Sequence, residues 1–214
     1  MSMAHTADMP LAPVAGILTT EHPQDFSLIH RLDCSMVRWQ RRSVEHEQEL
    51  IRLAVRESPR LKSVVALDAL HDLLKGQLGA SRAMQWLAAD IQLLASHFQR
   101  VSGHTLLDIS LDTISRQECP YFHIDNLDLR LVCTYLGTGT EYLDDSQVDR
   151  DWLGQGENEK VCCGNQPHQA ASMDVLLMKG HTYPGPSDRA QVHRSPKPPP
   201  GQPTRLRLRI DGAS

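Results

Sequence analysis

Between residues 81 and 103, Met84, Leu87, Ile91, Leu94, Phe98 and Val101 follow one another at steps of three and four, the spacing that lines one face of an α-helix. Ser81 stands where an N-cap belongs, and Ser102-Gly103 supplies the stop. The stripe predicts a helix packed on a sheet. A second helix is predicted from Ser43, with Glu45 and Glu47 in an acidic first turn and Ser58-Pro59 closing it. Leu67, Leu70, Leu74 and Leu78 place another over residues 61–78.

After Gly103 the period falls to two. Leu107, Ile109, Leu111 and Thr113 alternate with Asp108, Ser110 and Asp112, as in a half-buried strand. Cys119-Pro120 interrupts the pattern, and Leu127, Leu129, Leu131, Cys133 and Tyr135 then alternate with Asp128, Arg130, Val132 and Thr134. Gly137-Thr-Gly139 marks a turn before a short return strand at residues 140–143. Residues 144–169 are polar and glycine-containing, and read as a long loop or lid. Three further strands are predicted: Val175-Leu-Leu-Met-Lys179, closed by Gly180; residues 190–194, which carry His193; and residues 205–210. In the last, Arg205, Arg207 and Arg209 share one face and Leu206, Leu208 and Ile210 the other. The proline-rich stretch at residues 196–203 is a stiff connector between strands. Helices first and strands afterwards, without βαβ alternation, point to an α+β fold with N-terminal helices packed on a mostly antiparallel barrel. The divisions are an irregular N-terminal arm at 1–42, a helical region at 43–103 and a barrel core at 104–214, together one compact domain.

Composition adds bounds. A chain of 214 residues, 40% hydrophobic and 22% charged, has the profile of a soluble globular protein. A net charge of −4 gives no overall attraction to nucleic acid or to an anionic membrane. The first residues lack the pattern of a secretory signal, and no apolar run is long enough to span a bilayer. Five cysteines, Cys34, Cys119, Cys133 and the adjacent Cys162 and Cys163, do not form a disulfide framework. A cytoplasmic location with reduced thiols is the expectation. The sequence has no nucleophile elbow, P-loop or dinucleotide glycine fingerprint.

The chemistry centres on His123-Ile-Asp125. In an extended segment these two side chains project to one face, offering two-thirds of a facial triad of two histidines and one carboxylate, which suits non-haem Fe(II) and leaves coordination positions open. His193 is the candidate third ligand. A rival zinc site would use Cys162 and Cys163 with His168 and His181, although adjacent cysteines lack the usual C-x-x-C spacing. His71, His97 and His104 lie on or beside the helices and are expected to face solvent or to cap.

The order His123-x-Asp125, strand, Gly-x-Gly turn, Leu-Leu-Met-Lys-Gly180, His193, Gly201 and basic strand resembles the core of Fe(II)/2-oxoglutarate-dependent oxygenases. That resemblance covers about half of the chain. It implies a double-stranded β-helix, or jelly roll, with Fe(II) held by His123, Asp125 and His193. It also implies dioxygenase chemistry on a small molecule or a protein side chain. The cosubstrate, 2-oxoglutarate, needs a cation for its distal carboxylate. The family places this one strand connection after the distal histidine, which nominates Arg205 and then Arg207, with Tyr135 or Thr134 as an auxiliary hydroxyl.

The phrases Phe122-His-Ile-Asp125, Leu129-Arg-Leu-Val-Cys-Thr-Tyr135, Gly137-Thr-Gly-Thr-Glu141 and Val192-His-Arg-Ser-Pro196 resemble more closely an uncharacterised bacterial family, the domain of unknown function 1826. This second resemblance spans most of the chain. It implies a link to zinc limitation, with a zinc-chaperone-type GTPase as partner and Zn as the alternative metal, and the protein as a non-catalytic accessory of zinc homeostasis.

Overall fold

In the computed structural model of the chain, residues 16–42, 45–185, 189–200 and 204–213 are described. Ser43, the end of the proline-rich connector from Gly201 to Pro203 and the first fifteen residues of the expected arm lie outside them. Among the described residues the chain forms β1 (Ile17–Thr20), β2 (Met36–Trp39), α1 (Glu45–Arg56), β3 (Leu61–Ala66), α2 (Leu67–Leu78), α3 (Arg82–Ser102) and β4 (Leu106–Ile114). There follow β5 (Leu129–Leu136), β6 (Glu141–Tyr142), α4 (Asn158–Val161), β7 (His168–Gln169), β8 (Val175–Lys179), β9 (His193–Arg194) and β10 (Arg205–Ala213).

Seven strands form one large sheet in the order β1-β2-β8-β5-β10-β4-β3, antiparallel except for the parallel β1–β2 pair. A small sheet, β7-β6-β9, is extended by an isolated antiparallel bridge between His123 and His193. From β4 onward the chain passes back and forth between the two sheets, with β6 and β7 both in the small one, which is a jelly-roll-like path. Alternation inside each strand gives the large sheet two unlike faces. Leu107, Ile109 and Leu111 of β4, Leu129 and Leu131 of β5, and Leu206, Leu208 and Ile210 of β10 join one apolar cluster with the buried side chains of the helices. The opposite face supplies Val132, Leu176 and Met178 to a smaller cluster with Tyr142 and Ala170 of the small-sheet side.

The stripe on α3 behaves as its period requires. Met84, Leu87, Ile91, Leu94 and Phe98 are buried, the Ser81 hydroxyl accepts from the Met84 amide at 3.2 Å, and Gly103 ends the helix at φ 75°. Each large apolar side chain buried there contributes about 1.5–3 kcal/mol.

Three expectations need correction. Residues 16–42 are not an irregular arm: β1 and β2 are strands of the large sheet, joined by a 3-10 helix at Pro23–His30 whose Phe26 and Ile29 are fully buried. Four-residue strands are too short to establish a period. Residues 61–66 are the strand β3, not the start of a helix, and pair with β4 from Leu61↔Leu111 to Ala66↔Leu106. Cross-strand pairing of the β-branched Val64 and Val65 outweighs the leucine spacing, which holds only from Leu67 onward. Finally, residues 144–169 fold into two 3-10 turns, α4 and β7. These pack Val161 and Cys162 against Phe122, Leu143 and Val192.

Candidate metal centre

His123 is placed by backbone pairing. Its amide donates to the His193 carbonyl and the His193 amide donates back, both at 3.0 Å. The imidazole rings consequently lie 4.6 Å apart between centroids. The approach to His123 is clamped by Asn158 of α4, whose Oδ1 accepts from the Phe122 amide at 2.8 Å and whose Nδ2 donates to the Pro120 carbonyl at 3.0 Å. Asp125 opens a tight loop tied to the end of β8: the amides of Gly180, His181 and Thr182 donate to the carbonyls of Asp128, Asp125 and Leu127. Gly180 is required at this approach, because a Cβ there would lie 2.2 Å from the Leu127 carbonyl oxygen.

These constraints bring His123, Asp125 and His193 together, with one ligand atom from each within 4.8 Å of the others. The second nitrogen of each ring decides what the first can do. His123 Nδ1 lies 3.0 Å from the Tyr121 carbonyl and His193 Nδ1 lies 3.2 Å from the Gln191 carbonyl. A carbonyl can only accept, so the neutral rings carry their protons on Nδ1 and keep lone pairs on Nε2. Those Nε2 atoms are 3.7 and 3.2 Å from the two Asp125 oxygens. Asp125 Oδ2 is buried and has no hydrogen-bond donor, since the atom 3.2 Å away is His193 Nε2, the lone-pair nitrogen of the neutral ring.

Burial pushes the His123 pKa below its ordinary value, and the neighbouring His193 pushes in the same direction. Burial opposes ionisation of Asp125, but His193, Arg130 and His123 outweigh it and hold the carboxyl well below the usual carboxylate range. Two imidazoles that present Nε2 lone pairs when neutral, and an ionised carboxylate with an unused buried oxygen, fit a divalent transition metal.

His123 and His193 line a cleft of about 260 Å³ that also includes Arg130, Thr140, Arg205 and Arg207 in its walls. Arg205 is buried, and its Nε and Nη2 donate to Thr134 Oγ1 at 3.2 and 3.1 Å. Nη2 also donates to Thr140 Oγ1 at 3.0 Å. Among the described residues it forms no ion pair. Burial and the charge of Arg207 lower its pKa to about 10, so it remains a cation at neutral pH. Arg207 is already paired with Glu118 at 2.6 Å and lies 3.5 Å from Asp112, while Arg209 lies 3.3 Å from Asp211.

Tyr135 is elsewhere. It points to the helical side of β5, where its hydroxyl donates to Asp90 Oδ2 of α3 at 2.7 Å. The strand parity that sets it among Leu129 and Leu131 forbids the cleft, whereas Thr134, of opposite parity, reaches Arg205. The cysteine-rich rival does not assemble either. Cys162 is buried and Cys163 exposed, while His168 meets Asp144 at 3.1 Å. The one convergent group among the described residues is that of His123, Asp125 and His193. Of the helix-associated histidines, His71 is exposed. His97 is buried edge-on to Phe26, and His104 meets Asp128 at 2.6 Å.

Arg130 is the site residue that sequence reasoning passed over. Its Nη1 donates to Asp125 Oδ1, and its Nε and Nη2 donate to the two oxygens of Asp211 on β10, each at 2.7 Å. Its parity with Val132 and Thr134 was the available signal.

The family described as "Protein of unknown function (DUF1826)" matches residues 20–211. The chain belongs to this family. Among solved structures similar to this DUF1826 protein, a C-terminally truncated protein of Neurospora crassa in apo form has 10% identity and a TM-score of 0.48, covering 100% of each chain. The dioxygenase for auxin oxidation of rice has 10% identity and a TM-score of 0.47, covering 92% of this chain and 82% of its own. A prolyl-4-hydroxylase of Pseudomonas putida has 15% identity and a TM-score of 0.44, covering 90% and 97%. Likeness at this level transfers no activity. No curated protein matches in sequence. No helix among the described residues is long and apolar enough to cross a membrane.

Proposed function

We propose that the protein is an Fe(II)/2-oxoglutarate-dependent oxygenase. The observation that carries this reading is one of unused valence: two inward imidazole lone pairs and an unpartnered buried carboxylate oxygen meet beside a cleft that also holds Arg205. In such a site Fe(II) supplies dioxygen activation, coupled to conversion of 2-oxoglutarate to succinate. The chain's own contribution is positional. His123, Asp125 and His193 would hold the metal, with the cleft lined by the two histidines left for further ligands. Arg205, steadied by the Thr134 and Thr140 hydroxyls, receives the distal carboxylate, and its burial strengthens that contact while excluding water. The substrate, a small molecule or a protein side chain, enters through the same cleft.

Anaerobic titration of the protein with Fe(II) and 2-oxoglutarate tests the reading. A weak visible charge-transfer band is expected, absent in His123→Ala. Removing the hydrogen bonds of Arg205 costs about 1.5–3 kcal/mol, so Arg205→Ala should weaken 2-oxoglutarate binding roughly 10- to 100-fold. Stoichiometric zinc in the isolated protein, with no band on iron loading, would reject the oxygenase in favour of a zinc-binding accessory protein.

A further inference from the structure

The carboxylate that completes the metal centre is not free on both sides. Asp125 Oδ1 accepts from Arg130 Nη1, while Oδ2 accepts nothing. Arg130 cannot easily turn away, because its other two nitrogens, Nε and Nη2, are held by the two oxygens of Asp211. All three groups are largely buried, with side-chain exposures of 17% for Arg130, 10% for Asp125 and 9% for Asp211. They also belong to rigid elements: Arg130 and Asp211 are directly opposed across β5 and β10. The 125–128 loop is fastened to residues 180–182 by three backbone hydrogen bonds. A guanidinium fixed in this way sterically and electrostatically denies Oδ1 to a cation.

We propose that Arg130, braced by Asp211, is a positioning residue that restricts Asp125 to binding metal through Oδ2 alone. The inference rests on the metal reading given above and adds a coordination count to it. A carboxylate binding through both oxygens takes two positions on the metal, and one binding through a single oxygen takes one. With His123 and His193, single-oxygen binding leaves three of six positions vacant. A 2-oxo acid chelates through two of these, so one stays open for a diatomic ligand. Without the Arg130 brace, Asp125 can rotate both oxygens onto the metal and close that last position. The device places the selectivity for a third external ligand in two residues that never touch the metal.

Nitric oxide, a stable diatomic probe, reads the vacant position directly. The protein would be loaded anaerobically with Fe(II) and 2-oxoglutarate, and the charge-transfer band recorded. Nitric oxide would then be added and the high-spin iron–nitrosyl signal measured by electron paramagnetic resonance. The wild type should give both the band and the signal. Arg130→Gln should keep the band, because the chelating positions survive, while losing at least several-fold of the nitrosyl signal per bound iron. Arg130→Lys, which retains a cationic donor, should recover part of it. Asp211→Asn takes the charge and one of the two acceptors from the brace without touching the Asp125 contact, and should give the same split at smaller amplitude. It serves as the second test should Arg130→Gln fail to fold.

Variants that keep both signals at wild-type strength overturn the inference and leave the metal reading standing. Variants that lose band and nitrosyl signal in the same proportion also overturn it, since a merely structural residue behaves that way. Absence of the band in the wild type removes the oxygenase reading itself.

Discussion

Strand β5 separates two buried arginine–carboxylate networks that differ in one respect. On the helical face, Arg41 donates to the Met173 carbonyl at 2.8 Å, to Asp90 Oδ1 at 2.6 Å and to Cys133 Sγ at 3.0 Å. The second Asp90 oxygen accepts from Tyr135. Both carboxylate oxygens are therefore used within the protein. On the cleft face, Arg130 is similarly saturated by Asp125 and Asp211, yet one Asp125 oxygen has no partner. A closed network fixes structure, whereas one with a buried acceptor left over carries an unfilled requirement. The two faces thus separate scaffold from site within a single strand.

Removing a partner from the closed network should have the largest effect on stability. Asp90→Ala leaves the Arg41 guanidinium buried without its carboxylate, which costs about 3–5 kcal/mol, read as a lower urea midpoint with metal binding retained by the folded fraction. An equal loss from Asp125→Ala would erase the distinction. Gly180→Ala is next: a Cβ at 2.2 Å from the Leu127 carbonyl oxygen must displace the loop bearing Asp125. About 1–3 kcal/mol of stability should be lost, together with metal affinity in a calorimetric titration. Tyr135→Phe removes one hydrogen bond from the closed side and should cost about 1 kcal/mol while leaving 2-oxoglutarate binding unchanged. A weakened cosubstrate titration would return Tyr135 to the site.

Asp125→Ala should cost the metal-free protein no more than about 1 kcal/mol, because Arg130 keeps both bonds to Asp211. It should nevertheless abolish the gain of about 2.7 kcal/mol expected for the wild type at metal 100-fold above its dissociation constant. Thermal unfolding with and without metal separates these contributions. The smallest effect concerns pH. Burial, then the charge of His193, lowers the folded-state pKa of His123, so the unfolded chain takes up that proton first. Metal-free stability is complete above the ordinary histidine value of about 6.5 and falls as the pH drops towards the folded value. His123→Gln should flatten that portion of a stability–pH curve; an unchanged slope would assign it to other groups.

Much of this contrast was legible in the sequence. Strict alternation in β4, β5 and β10 gave the two faces, and the step from His123 to Asp125 placed both on one side. His193 followed from its position in a later extended segment. What escaped depended on pairing rather than period. β1 and β2 are too short to display alternation, and the leucine stripe of α2 was extended backwards over β3. Tyr135 is a different case: its parity with Leu129 and Leu131 is visible in the sequence and sets it on the helical face, whereas only its hydroxyl suggests the cleft. For Arg130 the sequence shows only its parity with Val132 and Thr134; its role needs β10, which sets Asp211 opposite to it.

The placement of β10 between β4 and β5 also constrains how the chain acquires its shape. During synthesis, both neighbours emerge well before residues 205–213 and wait with open edges, so the middle of the sheet is closed by one of its last segments. Contacts so distant in sequence slow folding, and exposed edges invite pairing with other chains. A nascent chain stalled before β10 would therefore present two sticky strands and depend on chaperones to stay soluble.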